Sequence, residues 1–353
     1  MKIERSLSLY THDVRYASGQ LLLNRVANEH GVYVQNGSSI NCYSRAGDEA
    51  GMPDSRDLME IAQAANQAHG PHEIQLVRTI KIRQVSGADK QVQDWLYYRI
   101  NGGMAKLVPY GKTSEMLLLM SDSMKEEAYY HHLPLYTENF EYDQIVVSHS
   151  VFGHFLHESL GHRLESDDYS MPVAWGPMPH LNFSVYDCPG DESMSGHTPF
   201  DDYGVIGREV CLFDPTNGRS ELLSFETGNA RATHYMNHPL VRQRCLDVRV
   251  LFPIASPICG ERLHLDEVDL ASYSEGETVI NVSRARLVKN GKQYRLPAIE
   301  LSFSDEDILR FCAFGEKKLI EPAGGCHKSL QRGLNVSYNS TQAFLQVKGE
   351  ITI

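Results

Sequence analysis

Residues 157–162, His-Glu-Ser-Leu-Gly-His, place two imidazoles and a carboxylate within six residues. Neutral histidine nitrogens are common zinc ligands, and a carboxylate beside a metal-bound water can take its proton. His157 and His162 are therefore candidate metal ligands, and Glu158 is the candidate general base. This combination of residue types predicts a metal-assisted hydrolytic site.

The two histidines are one residue further apart than in the common H-E-x-x-H zinc motif. At about 100° per residue, side chains five positions apart on an ideal helix diverge by about 140°, whereas those four apart diverge by about 40°. His157 and His162 can therefore share an ion only if the helix widens or ends between them. Gly161 is the expected place, because glycine tolerates backbone distortion and π-bulges often occur at functional sites.

The residues before and within the motif predict the helix that must carry it. Apolar side chains recur every four positions, at Phe152, Leu156, Leu160 and Leu164. This spacing is typical of an amphipathic helix with one buried face. Ser148 or Ser150 can cap its first turn.

Other polar residues near the motif leave alternatives open. His154 lies three residues before His157 and is a rival ligand on the same helix. Glu165, Asp167 and Asp168 follow the motif, and they are either partners that orient a ligand histidine or solvated carboxylates. The residue types alone support both interpretations.

Four segments of the chain resemble the TldD/PmbA family of metallopeptidases. Residues 157–167 (HESLGHRLESD) are similar to the H-E-x-x-G-H-x-L-E-x-D form found in active TldD-type subunits. Residues 201–207 (DDYGVIG), 227–231 (TGNAR) and 324–328 (GGCHK) resemble the family's D-D-x-G-x-x-G, T-G-N-x-R and G-x-C-G-K segments. All four occur in the family's order and place the resemblance over roughly residues 145–353, although the chain is shorter than typical members.

The resemblance implies a zinc site with three protein ligands. These are His157, His162 and Cys326, with Glu158 as the general base that transfers protons between water and the leaving amine. His327 stands where the family usually has glycine. It either alters the turn that presents Cys326 or supplies another nitrogen near the metal.

The cysteines and the N-terminal residues bear on the cellular compartment. Seven cysteines without a C-x-x-C pair fit a reducing compartment in a chain of this length. Glycines precede Cys326, and His327 and Lys328 follow it, which predicts an exposed, flexible segment where a thiolate can form. Residues 1–7 lack the apolar run of a signal peptide, and no stretch reaches the ~20 apolar residues of a membrane helix. We therefore expect a cytoplasmic protein without membrane contacts.

The charge balance and the missing motifs exclude several functional classes. The chain has 33 Lys and Arg against 45 Asp and Glu, a net charge of −12, which argues against nonspecific nucleic-acid binding because that needs a basic face. The sequence contains no G-x-x-x-x-G-K-[ST] loop, no strand-linked G-x-G-x-x-G and no G-x-S-x-G nucleophile elbow.

The pattern of elements predicts an α+β fold that is rich in strands, in two domains. We place an N-terminal α/β domain with substrate or partner contacts at residues 1–125. A C-terminal strand-rich metallopeptidase domain, with the metal motif on a helix, covers residues 126–353. Residues 169–200 are rich in Pro, Gly, Met and Asp and predict an irregular, substrate-facing loop. His180 and His197 lie in it and either contact substrate or face solvent.

The expected function is that of a zinc-dependent peptidase acting on extended or unfolded peptides, for example in the maturation of a modified peptide. The resemblance also implies a homodimer or a heterodimer with a related subunit. Two alternatives stay open. The chain could be a non-catalytic peptide-binding partner subunit, although Glu158 would then serve no purpose. It could also be a zinc hydrolase acting on non-peptide amides.

Overall fold

The computed structural model describes residues 2–18, 20–36, 39–44, 55–69, 73–85, 90–101, 103, 105–166, 177–254 and 260–353. Helices α1, α2 and α3 are Ser55–His69, Thr113–His132 and His149–Leu156. Strands β1 to β11 are Lys2–Ala17, Gln20–Asn36, Ser39–Ser44, Ile74–Val85, Gln91–Ile100, Lys106–Pro109, Phe140–Tyr142, Gln144–Val147, Phe183–Cys188, Val210–Phe213 and Ala230–Arg231. Strands β12 to β22 are Leu240–Val241, Cys245–Val250, Arg262–Ser274, Glu277–Lys289, Lys292–Arg295, Ile299–Ser304, Phe311–Ile320, Cys326–Lys328, Gln331–Leu334, Ser337–Leu345 and Gly349–Ile351.

The N-terminal part is an antiparallel sheet covered by two helices. Within the described ranges its strand order is β3-β2-β1-β4-β5-β6. Helix α1 packs against α2 and against β1 and β4, so one face of the sheet is buried. Its core includes Val14, Leu58, Ile61, Leu76, Leu96 and Met120. No helix in the described part of the chain is long and apolar enough to cross a membrane.

The C-terminal part is built on a mixed sheet. Its order in the described residues is β10-β9-β13-β21-β8-β14-β15-β16, with β17 paired to β15 and β18 paired to β21. The β13–β21 and β8–β14 pairs are parallel, whereas the other pairs are antiparallel. Strands dominate and the helices are few, so the predicted α+β class is confirmed.

Helix α3 lies on this sheet and carries the metal motif. It packs against β14 and β21, and Phe152, Phe155 and Leu156 on its inner face are almost completely buried. The hydroxyl of Ser148 accepts a hydrogen bond from the backbone N–H of Val151 at 3.2 Å. Of the two predicted caps, Ser148 is therefore the one that begins the helix.

The predicted irregular loop at residues 169–200 is wrong for part of its length. Phe183–Cys188 form β9, an inner strand that pairs with both β10 and β13. Phe183 and Val185 are fully buried there. The prolines and glycines that flank this short strand dominate the local composition and concealed it. Residues 169–176 lie outside the described residues, as do Asp167 and Asp168.

A buried carboxylate on a turn of the C-terminal part contacts the N-terminal sheet. Asp202 forms salt bridges of 3.1 Å with both Arg5 of β1 and Arg83 of β4. All three residues are at least nine-tenths buried. The proposed boundary between residues 125 and 126 falls inside helix α2, and the division into two domains stays a prediction.

Candidate metal centre

The extra residue of the motif is absorbed by one π-helical turn. Residues His157–Gly161 form this turn, in which the N–H of His162 donates to the carbonyl of His157, and a 3-10 turn follows at His162–Leu164. The rings of His157 and His162 consequently lie only 4.7 Å apart between centroids. Of the two possibilities that the sequence left open, a widened helix or a helix that ends between the histidines, the structure shows the widened one.

Gly161 is needed for space rather than for its backbone freedom. Its φ of −56° is an ordinary helical value that any residue adopts. A Cβ at this position would overlap the Oε1 atom of Gln243 and would lie 3.4 Å from Nδ1 of His157. The predicted place was right and the predicted reason was wrong, because the glycine makes room for a neighbouring side chain.

His157 is oriented by that same glutamine. Its Nδ1 lies 2.6 Å from Oε1 of Gln243, and both side chains are buried. An amide oxygen can only accept, so Nδ1 carries the ring proton and the lone pair lies on Nε2. This Nε2 is buried and has no hydrogen-bond partner among the described residues. A buried nitrogen lone pair without a partner is costly unless something binds it.

His162 is held in a similar way by a carboxylate. Its Nδ1 lies 3.1 Å from Oε2 of Glu165, which also accepts from Nζ of Lys328 at 2.7 Å. Burial alone would raise the pKa of Glu165, but the charges and hydrogen bonds of His162 and Lys328 hold it at about 2. Glu165 is therefore ionised and orients the ring of His162. Of the two roles that the sequence left open, it is the partner of a histidine and not a solvated carboxylate.

Cys326 reaches the histidines from a distant part of the chain. It begins β19 and is only 3% exposed, so the predicted exposure is wrong for the cysteine itself, whereas Gly324 and His327 beside it are exposed. Gly325 turns with a φ of +61°, and a Cβ there would lie 2.7 Å from the carbonyl oxygen of Leu334, the cross-strand partner of Cys326. The glycine thus allows a tight hairpin that buries the cysteine.

The thiol of Cys326 lies in a cationic environment. Its Sγ is 3.4 Å from Nε2 of His162 and accepts a hydrogen bond from Nη2 of Arg242 at 3.0 Å. Burial alone would raise the pKa of this thiol, but the imidazoles of His157 and His162 lower it well below its usual range. The thiolate, which is the form that binds metals, is therefore favoured.

The three side chains converge with the geometry of a metal-binding group. One ligand atom from each of His157, His162 and Cys326 lies within 4.8 Å of the other two. Gln243 holds Nδ1 of His157, and Glu165 holds Nδ1 of His162. Nε2 of each ring and the sulfur of Cys326 are left to face a common point. Two imidazoles and a thiolate suit zinc, which takes four ligands in a tetrahedron. These residues fit a metal ion.

Glu158 lies beside this group and outside it. Its Oε1 is 4.0 Å from Nε2 of His162, and its side chain is 14% exposed. Burial raises its pKa above the ordinary value for glutamate, although the two histidines oppose the shift. A carboxyl group in this position can exchange a proton with a molecule bound at the metal.

The two rival histidines do not reach the group. Nδ1 of His154 lies 2.8 Å from the carbonyl oxygen of Ser150, so it is not available to a metal ion. The ring of His154 packs edge-on against the ring of Tyr338, with 5.0 Å between the ring centroids. Burial lowers the pKa of His154 to about 4. His327 is exposed and its Nε2 turns back to the carbonyl of Gly324 at 3.1 Å. The group consists of His157, His162 and Cys326, so the predictions of His154 as a rival ligand and of His327 as another nitrogen near the metal are wrong.

The TGNAR segment fixes the backbone that carries the supporting side chains. Asn229 donates to the carbonyl of Arg242 at 2.9 Å, and Arg231 donates to the carbonyl of Gln243 at 2.6 Å. Arg242 in turn contacts Cys326, and Gln243 contacts His157. This motif therefore acts on the candidate ligands through Arg242 and Gln243.

The DDYGVIG segment acts further away. Asp201 caps its own turn by accepting from the N–H groups of Tyr203 and Val205, each at 2.9 Å. A Cβ on Gly228, at a φ of +76°, would lie 2.7 Å from Cα of Gly207. The glycines of the two motifs thus pack backbone against backbone, which larger residues would prevent.

Three supporting residues were missed by the sequence interpretation. Arg242, Gln243 and Tyr338 are all buried, and the ring of Tyr338 packs 5.5 Å from that of His157. Arg242 and Gln243 belong to a polar run, Arg242-Gln243-Arg244, between apolar residues. A polar run between apolar residues is the only sequence signal that these side chains have a structural role, because a buried arginine needs a specific partner.

No family model and no curated protein matches this sequence. The fold is similar to that of TldE from Thermococcus kodakarensis, with a TM-score of 0.65 and 8% identity over 98% of this chain and 95% of that one. It is also similar to a "putative modulator of a DNA gyrase" from Thermotoga maritima, with a TM-score of 0.65 and 14% identity over 99% and 96%. A "putative modulator of DNA gyrase" from Bacteroides thetaiotaomicron aligns with a TM-score of 0.56 and 11% identity over 100% and 94%. At these identities the likeness concerns the fold, and the chain has the fold of the TldD/PmbA family that its four motif segments predicted.

Proposed function

We propose that this chain is a zinc-dependent peptidase in which His157, His162 and Cys326 hold the metal and Glu158 transfers protons. The observation that carries the proposal is the convergence of three ligand atoms within 4.8 Å beside a carboxylate that does not itself join them. Zinc, when bound, supplies a Lewis acid that polarises a carbonyl group and lowers the pKa of a coordinated water.

Glu158 has the environment that proton transfer needs. Partial burial raises its pKa toward the working range of a general base, and its side chain keeps 14% of its surface exposed. It can accept a proton from water and return it to the amine that leaves. Gln243 and Glu165 hold the two imidazoles still while this happens, because each occupies the outer nitrogen of one ring.

The proposed substrates are extended or unfolded peptides, and a related subunit or a second copy is the proposed partner. An extended peptide can add as a strand to a sheet edge, where backbone hydrogen bonds tolerate many sequences. Ribonuclease offers a clean comparison between its reduced, carboxymethylated form and its native form, because the two share one sequence. Equal cleavage of both forms would end the extended-peptide proposal.

The decisive variant is Glu158→Gln, which keeps the shape and removes the base. We expect zinc-loaded wild-type protein to cleave reduced, carboxymethylated ribonuclease, and Glu158→Gln to lose at least a hundredfold in rate while retaining its zinc. Glu300→Gln, at an exposed position on β17, is the matched control and should keep full activity. Zinc binding without any cleavage by the wild type would favour the non-catalytic partner subunit instead.

A further inference from the structure

Arg242 is a buried cation beside the candidate metal centre that no carboxylate balances. It is completely buried, and among the described residues it forms no salt bridge with Asp or Glu. Its Nη2 lies 3.0 Å from the carbonyl oxygen of Cys326 and 3.0 Å from Sγ of the same residue. Its Nε and Nη1 are buried and have no hydrogen-bond partner in the described part of the chain. A buried guanidinium is costly unless an opposite charge faces it.

The two hydrogen bonds of Nη2 direct one N–H group at the sulfur. This nitrogen carries two hydrogens, so one can go to the carbonyl oxygen of Cys326 and the other to its Sγ. The first bond ties the guanidinium to the backbone of β19, and the second therefore reaches the sulfur from a fixed position. The planar guanidinium has little freedom to turn away while the first bond is made.

The backbone of Arg242 is held as firmly as its side chain. Its N–H donates to the carbonyl oxygen of Asn229 at 2.9 Å, and its own carbonyl accepts from Nδ2 of Asn229, also at 2.9 Å. Asn229 is itself fully buried and belongs to the TGNAR segment. This segment thus fixes the point from which the guanidinium reaches Cys326.

The negative charge that Arg242 needs comes from Cys326. Burial lowers the pKa of Arg231 to about 10 and the positive charge of Arg242 adds to this shift, so Arg231 is a second cation and not a counter-ion. The carboxylate of Glu165 is bound to other groups. Among the described residues, the sulfur of Cys326 is the one acceptor in contact with the guanidinium that can carry a charge. A cysteine that binds a metal ion is deprotonated and carries that charge.

We propose that Arg242 is a positioning residue of the metal centre, which draws negative charge from the sulfur of Cys326 and so makes the bound metal a stronger Lewis acid. This inference rests on the proposed function and adds to it a residue outside the four motif segments. A hydrogen bond from a cation lowers the energy of the sulfur lone pair, and the sulfur then gives less of its charge to the metal. A substrate carbonyl group is polarised more strongly as a result.

The test uses full-length protein loaded with Co²⁺ in place of zinc, because the sulfur-to-cobalt charge-transfer band reports the energy of the sulfur lone pair. Arg242→Gln removes the positive charge and keeps a donor for the carbonyl oxygen of Cys326. Its band should move to longer wavelength, since the lone pair rises in energy. Arg242→Lys keeps the charge and should give a band between those of Arg242→Gln and the wild type. Arg249→Met, on β13, removes an arginine that pairs with Glu209 and Asp247, and the band should stay unchanged.

Activity at saturating zinc is the second measurement. Arg242→Gln should cleave reduced, carboxymethylated ribonuclease with a kcat about 10- to 100-fold below that of the wild type and with a similar KM. Arg242→Met replaces Arg242→Gln in both measurements if the glutamine variant does not fold. An apolar side chain of similar volume in place of a buried charge is often neutral for stability.

Three results would overturn the inference. The band could stay in place in Arg242→Gln, it could move equally in Arg249→Met, or Arg242→Lys could move it as far as Arg242→Gln, which would make the role of Arg242 purely structural. A band shift in Arg242→Gln without cleavage by the wild type would refute the peptidase alone. A charge-transfer band that persists in Cys326→Ala would refute the proposed ligands and this inference with them.

Discussion

The side-chain oxygen of Gln243 lies 2.6 Å from Nδ1 of His157, and it reaches that position only because residue 161 has no side chain. The glutamine comes from the segment between β12 and β13, more than eighty residues away. One hydrogen bond therefore fixes both the orientation and the tautomer of a proposed metal ligand. The glycine inside the motif and the glutamine outside it form one functional unit.

Gly161→Ala is expected to weaken zinc binding without unfolding the protein. The added Cβ would displace Oε1 of Gln243 and free the ring of His157. Loss of such an outer partner typically costs about 10- to 100-fold in metal affinity. Competition with a chromogenic chelator measures the affinity. Gly324→Ala is the control, since a Cβ there meets nothing within 4 Å. Unchanged affinity in Gly161→Ala would show that the hydrogen bond does not matter.

Cys326→Ala is expected to remove or greatly weaken zinc binding. The thiolate is one of three proposed ligands, and zinc bound by it also ties the hairpin of β19 and β20 to the motif helix. Elemental mass spectrometry should find one zinc per chain in the wild type, and a chelator should lower its Tm. Cys312→Ala, at a partly buried cysteine outside the group, should behave like the wild type. A zinc content of Cys326→Ala equal to that of the wild type and of Cys312→Ala would show that Cys326 is not a ligand.

The sequence could predict which of the motif's side chains lie together because their spacing is local. His157, Glu158 and His162 lie within six residues, and the period of the apolar residues defines the helix that carries them. The π turn is one of the two solutions that geometry allowed, since side chains five positions apart can meet only if the helix widens or ends between them. Cys326 was predicted only through the family resemblance, because nothing in its own neighbourhood specifies a contact 164 positions away in sequence.

The supporting residues could not be predicted in the same way. Gln243 and Arg242 act through contacts that form only when the chain is folded, and neither lies in a recognised segment. The burial of Cys326 was missed because glycines suggest exposure, whereas Gly325 here allows a tight and buried hairpin. Strand β9 was missed because composition was averaged over a window much longer than the strand.

Asp202→Asn is expected to destabilise the protein strongly. The change removes the negative charge that faces Arg5 and Arg83, and both guanidinium groups are buried. Breaking a buried ion pair from one side costs about 3–5 kcal/mol in free energy of unfolding. Urea unfolding gives the measurement. Asp122→Asn, in an exposed pair with Lys125 on α2, should cost less than about 0.5 kcal/mol. A similar small cost for Asp202→Asn would mean that its ion pairs with Arg5 and Arg83 do not stabilise the fold.

Glu321 is expected to make stability fall as the pH rises through neutrality. Its carboxyl group is largely buried and accepts hydrogen bonds from the N–H of Ser195 and the hydroxyl of Ser337. Burial raises its pKa from 4.5 to about 7, although these hydrogen bonds oppose the shift. Because the folded state holds the proton more tightly, the stabilisation is complete below pH 4.5 and is lost as the pH rises through about 7.

The comparison of Glu321→Gln with the wild type isolates this effect from other titrating groups. Glutamine keeps the shape and does not titrate, so its free energy of unfolding relative to the wild type should rise between pH 4.5 and 7.5, by up to about 3 kcal/mol. Urea unfolding at several pH values gives the slope. Glu300→Gln, at an exposed position, should show a flat difference over the same range. A flat difference for Glu321→Gln as well would mean that this carboxyl group titrates alike in the folded and unfolded chains.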